Sequence, residues 1–149
     1  MKVVLQRVSS ASVTIDYTET SSINQGLLIL LGIEHEDSTI DIEWLCNKIV
    51  NMRIFSDENG LMNKSLLDIS GEVLVVSQFT LHANTKKGNR PSFIQAAKPA
   101  IAIPLYEAFI ARLNQLTASE IKTGEFGANM QVTLCNDGPV TIIVDSKNK

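Results

Sequence analysis

Two short segments hold the residue types that could do chemistry: Ser77-Gln78-Phe79-Thr80-Leu81 near the middle of the chain, and Asn136-Asp137-Gly138-Pro139-Val140-Thr141 near its end. The first supplies two hydroxyls, an amide and a stretch of backbone at the point where the apolar run Val73 to Val76 turns polar. Uncharged donors of this kind suit a carbonyl that gains negative charge during attack, because dipoles already fixed in a dry site need little reorganisation. The second segment reads as a turn holding a Gly-Pro bond. Neither contains an obvious acid–base pair, so together they outline a site built from backbone. Each segment also has a plainer account. Ser77, Gln78 and Thr80 suit an ordinary strand reaching solvent. Asp-Gly between two strands is a hairpin signal, with Pro139 opening an edge strand where no ladder donor is needed. A cis Gly138-Pro139 bond is the rarer alternative, adopted by about 5% of X-Pro bonds in folded proteins.

The elements that must position these segments are strand-rich. Val3, Leu5 and Arg7 share one face of a first strand. Val13-Thr14-Ile15 resumes the period of two after Ser9-Ser10, which predicts a hairpin or bent pair. Gly26 to Ile33 is a continuous apolar run bracketed by glycine, the pattern of a central strand buried on both faces. Ser38 followed by Asp41 forms a capping-box pattern, and Ile42, Leu45, Ile49 and Met52 follow at helical spacing. These predict an amphipathic helix over about 39–52 with Trp44 on its flank. Asp57-Glu58-Asn59-Gly60 marks a turn, and Gly71 introduces a strand from Glu72 to Leu81. Tyr106, Phe109, Ile110, Leu113 and Leu116 predict a second helix with Pro104 in its first turn. The chain closes with strands Met130 to Cys135 and Val140 to Val144, joined through Asn136 to Pro139. The expected architecture is one α+β domain over residues 1–149, a curved, mainly antiparallel sheet or open β-barrel with two covering helices.

Composition narrows the function classes. At 44% apolar and 19% charged over 149 residues, the chain can bury a core without staples, and no apolar run has the length of a membrane span. The start, Met1 to Arg7, does not continue into a leader-like apolar core, so a cytoplasmic location is expected. Cys46 and Cys135 have no partners at metal-ligand spacing; both are expected as buried, reduced thiols, with no metal and no cofactor. A net charge of −3 argues against general coating of nucleic acid, DNA included. Lys86-Lys87-Gly88-Asn89-Arg90 is a local exception. It reads either as a solvated loop or, through Lys86, Lys87 and Arg90, as a grip on the end of a polyanion. His35 reads as a solvated loop residue.

In their order and spacing these motifs resemble the D-aminoacyl-tRNA deacylase family. The likeness runs from Gln6-Arg7-Val8 through Ser77 to Leu81, Thr85 to Phe93, Pro104-Leu105-Tyr106 and Gly124 to Met130, to Asn136 to Thr141, nearly the whole chain. Two places depart from the pattern. His82 stands where an aromatic is expected, and Tyr17 to Asn24 lacks the usual glycine-containing turn.

The resemblance implies hydrolysis of the ester of D-aminoacyl-tRNA, and of glycyl-tRNA mischarged on tRNA-Ala, at the RNA's 3′ end. It implies a homodimer in which a cis Gly138-Pro139 reaches into the partner's pocket beside Ser77 to Thr80. Arg7 would steady that loop, with Asn136 and Met130 contributing to the substrate site. If the Gly138 and Pro139 carbonyl oxygens occupy the position of an L side chain, L substrates clash while D substrates do not. Catalysis is expected from backbone donors at Gln78 and Phe79 with help from the terminal ribose 2′-hydroxyl, and Thr80 acts as nucleophile or as positioning group. A non-catalytic RNA-end or nucleotide-binding module on the same fold is the alternative. A side-chain-driven esterase using His82 is a third reading.

Overall fold

The computed structural model describes residues 1–149, apart from the side chain of Glu19. The element order is β1 (Lys2–Ile15), β2 (Thr18–Ile23), β3 (Gly26–Gly32), α1 (Thr39–Asn51), β4 (Phe55–Ser56), β5 (Met62–Lys64), β6 (Glu72–Ser77), a 3-10 turn (Phe79–His82), α2 (Pro99–Leu116), β7 (Lys122–Thr123) and β8 (Gln131–Asp145). The main sheet runs β2-β1-β3-β6-β7, with β8 on the other side of β1; β4 and β5 form a small second sheet. β1 pairs antiparallel with β2, β3 and β8, while β3–β6 and β6–β7 are parallel. β7 comes back beside β2, where the Ser21 hydroxyl donates to the Thr123 carbonyl at 2.6 Å. No ladder joins those two strands, so the barrel stays open along that seam.

β3 lies between β1 and β6, and most of its residues are buried, as its apolar run predicts. Its two faces feed two cores. Leu27, Ile29 and Leu31 join Val3, Leu5, Val73 and Val75 beneath Leu45 and Ile49 of α1 and Phe109 and Leu113 of α2. Leu28 joins Val8, Ala11, Val13, Leu74 and Val76 inside the barrel. Odd residues of β1 face the helices up to Arg7, and Val8 faces inward by alternation. The register against β8 slips between Gln6 and Val8 and again between Val8 and Ser10, and beyond the second irregularity the faces are exchanged, so that Ala11 and Val13 point inward. Burying Phe109 completely contributes roughly 2–3 kcal/mol, and truncation to alanine would cost more because a cavity remains.

α1 begins where the capping pattern places it. The Ser38 amide donates to Asp41 Oδ2 at 2.9 Å, and its hydroxyl to the same oxygen at 3.1 Å. Trp44 is half-buried on the flank. The turn at Asp57 to Gly60 joins β4 to β5, with Gly60 at a φ of 78°.

Four expectations are corrected. Residues 2–15 form one bent strand and not a hairpin, because β8 pairs along nearly its whole length. The strand beginning at Glu72 stops at Ser77; its neighbour β3 ends at Gly32, and the chain turns into the 3-10 segment. β8 is likewise continuous: Asn136 to Pro139 does not reverse the chain, and Gly138-Pro139 is cis. α2 starts at Pro99, so Pro104 lies inside the helix, on an exposed face. The thiols also differ from each other. Cys46 is buried, with burial pushing its pKa up to about 12, whereas Cys135 is exposed on β8.

Candidate active site

The middle segment sits where β6 runs out. Gln78 N–H donates to the Leu31 carbonyl at 2.7 Å, the last bond of the β3–β6 pairing, and the backbone then tightens: Leu81 N–H reaches the Gln78 carbonyl at 3.2 Å and Ala83 N–H the Thr80 carbonyl at 3.0 Å. Gly32 permits this fold-over. A Cβ there would lie 3.0 Å from Leu81 Cβ and 3.1 Å from the Gln78 oxygen. At the start of a helical turn the first amides have no acceptor within the turn. Among the described residues, Phe79 N–H and Thr80 N–H are without one. Gln78 N–H is already engaged, so of the expected donors Gln78 and Phe79 only the Phe79 amide is free in this chain.

A cavity of about 290 Å³ opens beside this turn, lined in part by Ser77, Gln78, Phe79, Phe126, Asn129 and Met130. Phe79 is exposed at the mouth and meets Phe93 edge to face, ring centroids 5.2 Å apart. Met130 is held over Gly124, where any Cβ would run into its sulfur. The cavity thus pairs aromatic and thioether walls with Phe79, whose amide is free, and the free Thr80 amide follows in the same turn. That combination suits a flat apolar group beside a polarised carbonyl.

Thr80 lacks a base. Its Oγ1 accepts a bond from Gln78 Nε2 at 2.5 Å, and a hydroxyl held by an amide donor is positioned, not activated. His82 does not line the cavity or its rim. It is only 3% exposed, packed over Gly32, with Nε2 unpartnered. His35 stands exposed in a turn, as expected. Lys86, Lys87 and Arg90 are exposed in the loop bounded by the Asn84–Ser92 bridge. No cluster able to hold a metal occurs among the described residues.

The second segment is a separate construction. Arg7, 8% exposed, donates from Nε to the Asp137 carbonyl at 3.0 Å and from Nη1 to the Ile54 carbonyl at 2.7 Å, and its Nε lies 3.3 Å from Asp137 Oδ2. The Asn136 side chain bridges the bulge, accepting from Val140 N–H at 3.1 Å and donating to Thr141 Oγ1 at 2.9 Å. Gly138 has a φ of 128°, and a Cβ there would lie 2.9 Å from both Arg7 Nη2 and Val140 Cγ2. Gly138 and Pro139 themselves are exposed.

The fold does not bring the two segments together within one chain. Asn136 and Thr141 pair around Arg7, which lies in the row of Leu27 and Val73, whereas Ser77 lies in the row of Leu31 and Val3. Four residues along a strand are roughly 13 Å, with three strand spacings between. What sequence reasoning missed was Gly32, whose lack of a side chain admits the turn, together with the Leu31 carbonyl that takes the Gln78 amide. The glycine at the end of the apolar run was the available signal.

Comparison with known proteins gives the family and the fold. Residues 4–145 match the family model described as D-Tyr-tRNA(Tyr) deacylase. The chain is 65% identical over 149 residues to a D-aminoacyl-tRNA deacylase of Bacteroides fragilis (strain YCH46), and 62% identical to one of Flavobacterium psychrophilum; each alignment covers 100% of this chain and 99% of the relative. Among solved structures, c-Myc DNA Unwinding Element Binding Protein superposes with a TM-score of 0.93 at 44% identity, covering 97% of this chain and 98% of that one. A probable eukaryotic D-amino acid tRNA deacylase shares the fold at a TM-score of 0.81 and 15% identity, covering 96% and 97%. With the match spanning both segments, this chain belongs to the D-Tyr-tRNA(Tyr) deacylase family.

Proposed function

We propose that the protein hydrolyses the ester joining a D-amino acid to the 3′ end of tRNA, and that a second copy of the chain completes each site. The observation that carries the reading is the pair of successive free amides, Phe79 N–H and Thr80 N–H, in the turn that borders a mostly apolar cavity whose lining, among the described residues, holds no acidic or basic side chain. An aminoacyl ester is already activated. Its hydrolysis needs a positioned water, an oxyanion site and little else, and the ribose 2′-hydroxyl can assist. Thr80 acts as a positioning group through Gln78. The terminal adenosine takes the aromatic and Met130 wall, and Lys86, Lys87 and Arg90 meet neighbouring phosphates, which is compatible with an acidic total.

The dimer follows from what one chain leaves open. β8 pairs only with β1, so one edge of a strand of 15 residues is unpaired among the described residues. Ile143 on that strand is 70% exposed. Long bare edges invite a second copy. The exposed Gly138-Pro139 loop, held on Arg7, then enters the partner's cavity. With the ester's amino and carbonyl groups fixed, carbonyl oxygens at the L position reject an L side chain and tolerate hydrogen, so glycyl-tRNA is cleaved as well. A thousandfold preference corresponds to about 4 kcal/mol, within reach of a rigid clash.

The test is hydrolysis of D-tyrosyl-, L-tyrosyl- and glycyl-tRNA by purified protein. D-tyrosyl and glycyl substrates should turn over, with L-tyrosyl at least about a thousandfold slower. Comparable L-tyrosyl turnover defeats the chirality mechanism. RNA-end binding without turnover of any ester selects the binding-module reading. The His82 esterase reading has less support, since His82 is buried and does not line the cavity.

A further inference from the structure

The β1–β2 hairpin carries an aromatic ring that stabilises nothing in the fold. Asp16 and Tyr17 form its two-residue tip, closed by the Ile15–Thr18 pair, with φ values of 49° and 63°. Both values lie in the left-handed region that glycine or asparagine ordinarily takes in such a turn. Tyr17 is nonetheless 99% exposed. A large apolar ring on unfavourable backbone, touching no core, is ill suited to a stabilising role.

The register shows where the ring stands. Thr14 pairs with Gln131, so the tip lies two to three residues beyond that level, roughly 7–10 Å along the strand, and the neighbouring residue Met130 lines the cavity. The tip therefore projects past the start of β8 in the direction of Met130 and the cavity-lining residues that precede it. Asp16 beside it disfavours a phosphate contact, which leaves the ring face as the recognising group. Aromatic faces stack on unpaired bases of any identity.

We infer that Tyr17 is a further substrate-binding residue that stacks on an unpaired base just upstream of the terminal nucleotide, extending the site along the single-stranded 3′ end of the RNA. The inference rests on the deacylase reading above. Tyr17→Gly is the useful variant, since glycine accepts the tip's backbone and removes the ring alone. Steady-state hydrolysis should be compared on D-tyrosyl-tRNA and on D-tyrosyl adenosine, which has no upstream nucleotide. Expected is a KM increase of about fivefold or more on the tRNA with kcat little changed, a smaller change on the short ester, recovery in Tyr17→Phe, and a melting temperature no lower than that of the unsubstituted protein. An unchanged KM on tRNA, or equal increases on both substrates, overturns the inference. A change in oligomeric mass in Tyr17→Gly also overturns it, assigning the tip to a contact between copies. If the unsubstituted protein cleaves neither ester, the deacylase reading fails on its own account. Binding then decides for Tyr17: a labelled RNA hairpin with a single-stranded 3′ tail should bind Tyr17→Gly about fivefold more weakly, with a blunt hairpin unaffected, and equal binding of the tailed RNA refutes the role.

Discussion

The turn after β6 and the loop within β8 are both made of uncharged backbone, yet they are built in opposite ways. Around Phe79 and Thr80 the chain keeps its amides unpaired in a turn beside a cavity, open to something brought to it. Around Gly138 the flanking groups are tied down, Asp137 to Arg7 and Asn136 to Val140 and Thr141, and Gly138 and Pro139 themselves are exposed. One region is preorganised by being left open and the other by being clamped. The two regions lie out of reach of each other on one chain, and the proposed dimer is what would bring them together.

Breaking the clamp should have the largest effect. Gly138→Ala puts a methyl group 2.9 Å from Arg7 Nη2 on backbone that L residues rarely adopt, so the loop must move. Turnover of D-tyrosyl-tRNA should fall by about a hundredfold or more, with the D-over-L ratio falling as well, while circular dichroism stays native. A variant with an undiminished ratio would separate the loop from chirality. Arg7→Lys keeps the charge but loses the fork that serves two carbonyls, and should cost about 1–3 kcal/mol in urea unfolding and about tenfold in rate.

The turn after β6 should be more forgiving at its side chains. Thr80→Ala removes the hydroxyl but not the amide, so kcat should fall by no more than about tenfold. Loss of all turnover at unchanged substrate affinity would make Thr80 the nucleophile. The smallest effect is on pH dependence, far from both regions. Burial pushes the Asp41 carboxyl up, but hydrogen bonds from Ser146, Lys147 and Ser38 outweigh it and hold the group well below the usual carboxylate range. A depressed folded pKa gives stability that is fully present above the unfolded value near 4 and is lost as pH falls below it. Urea midpoints should therefore drop between about pH 4 and pH 2, and Asp41→Asn should flatten that part of the curve.

How much could be read in advance depended on whether local signals agreed with the neighbouring strands. The apolar run of β3 and the Ser38–Asp41 cap each specify their own structure, and both stand where the sequence puts them. β6 does not: Val73, Val75, Phe79 and Leu81 keep alternating, but a strand lasts only as long as its partner, and β3 ends at Gly32. For β8 the conflict is reversed. Asp137-Gly138 would turn the chain if left alone, while β1 pairs with it on both sides of the bulge and keeps it extended. Ser77, Gln78, Phe79 and Met130 meet at one cavity, but the Gln78 amide is not free as expected, because it closes a ladder that the sequence does not display. The α2 start was missed for a similar reason, since Pro99 and Pro104 are equally good openings until packing chooses between them.

The Arg7 fork has one further consequence. Because its second arm ends on the carbonyl of Ile54, just ahead of the small β4–β5 sheet, that outlying hairpin is the buttress of the projecting loop. Shortening or loosening it would leave every group at the cavity intact and, on the proposed reading, act at a distance through the Arg7 fork, lowering turnover and enantiomer discrimination together.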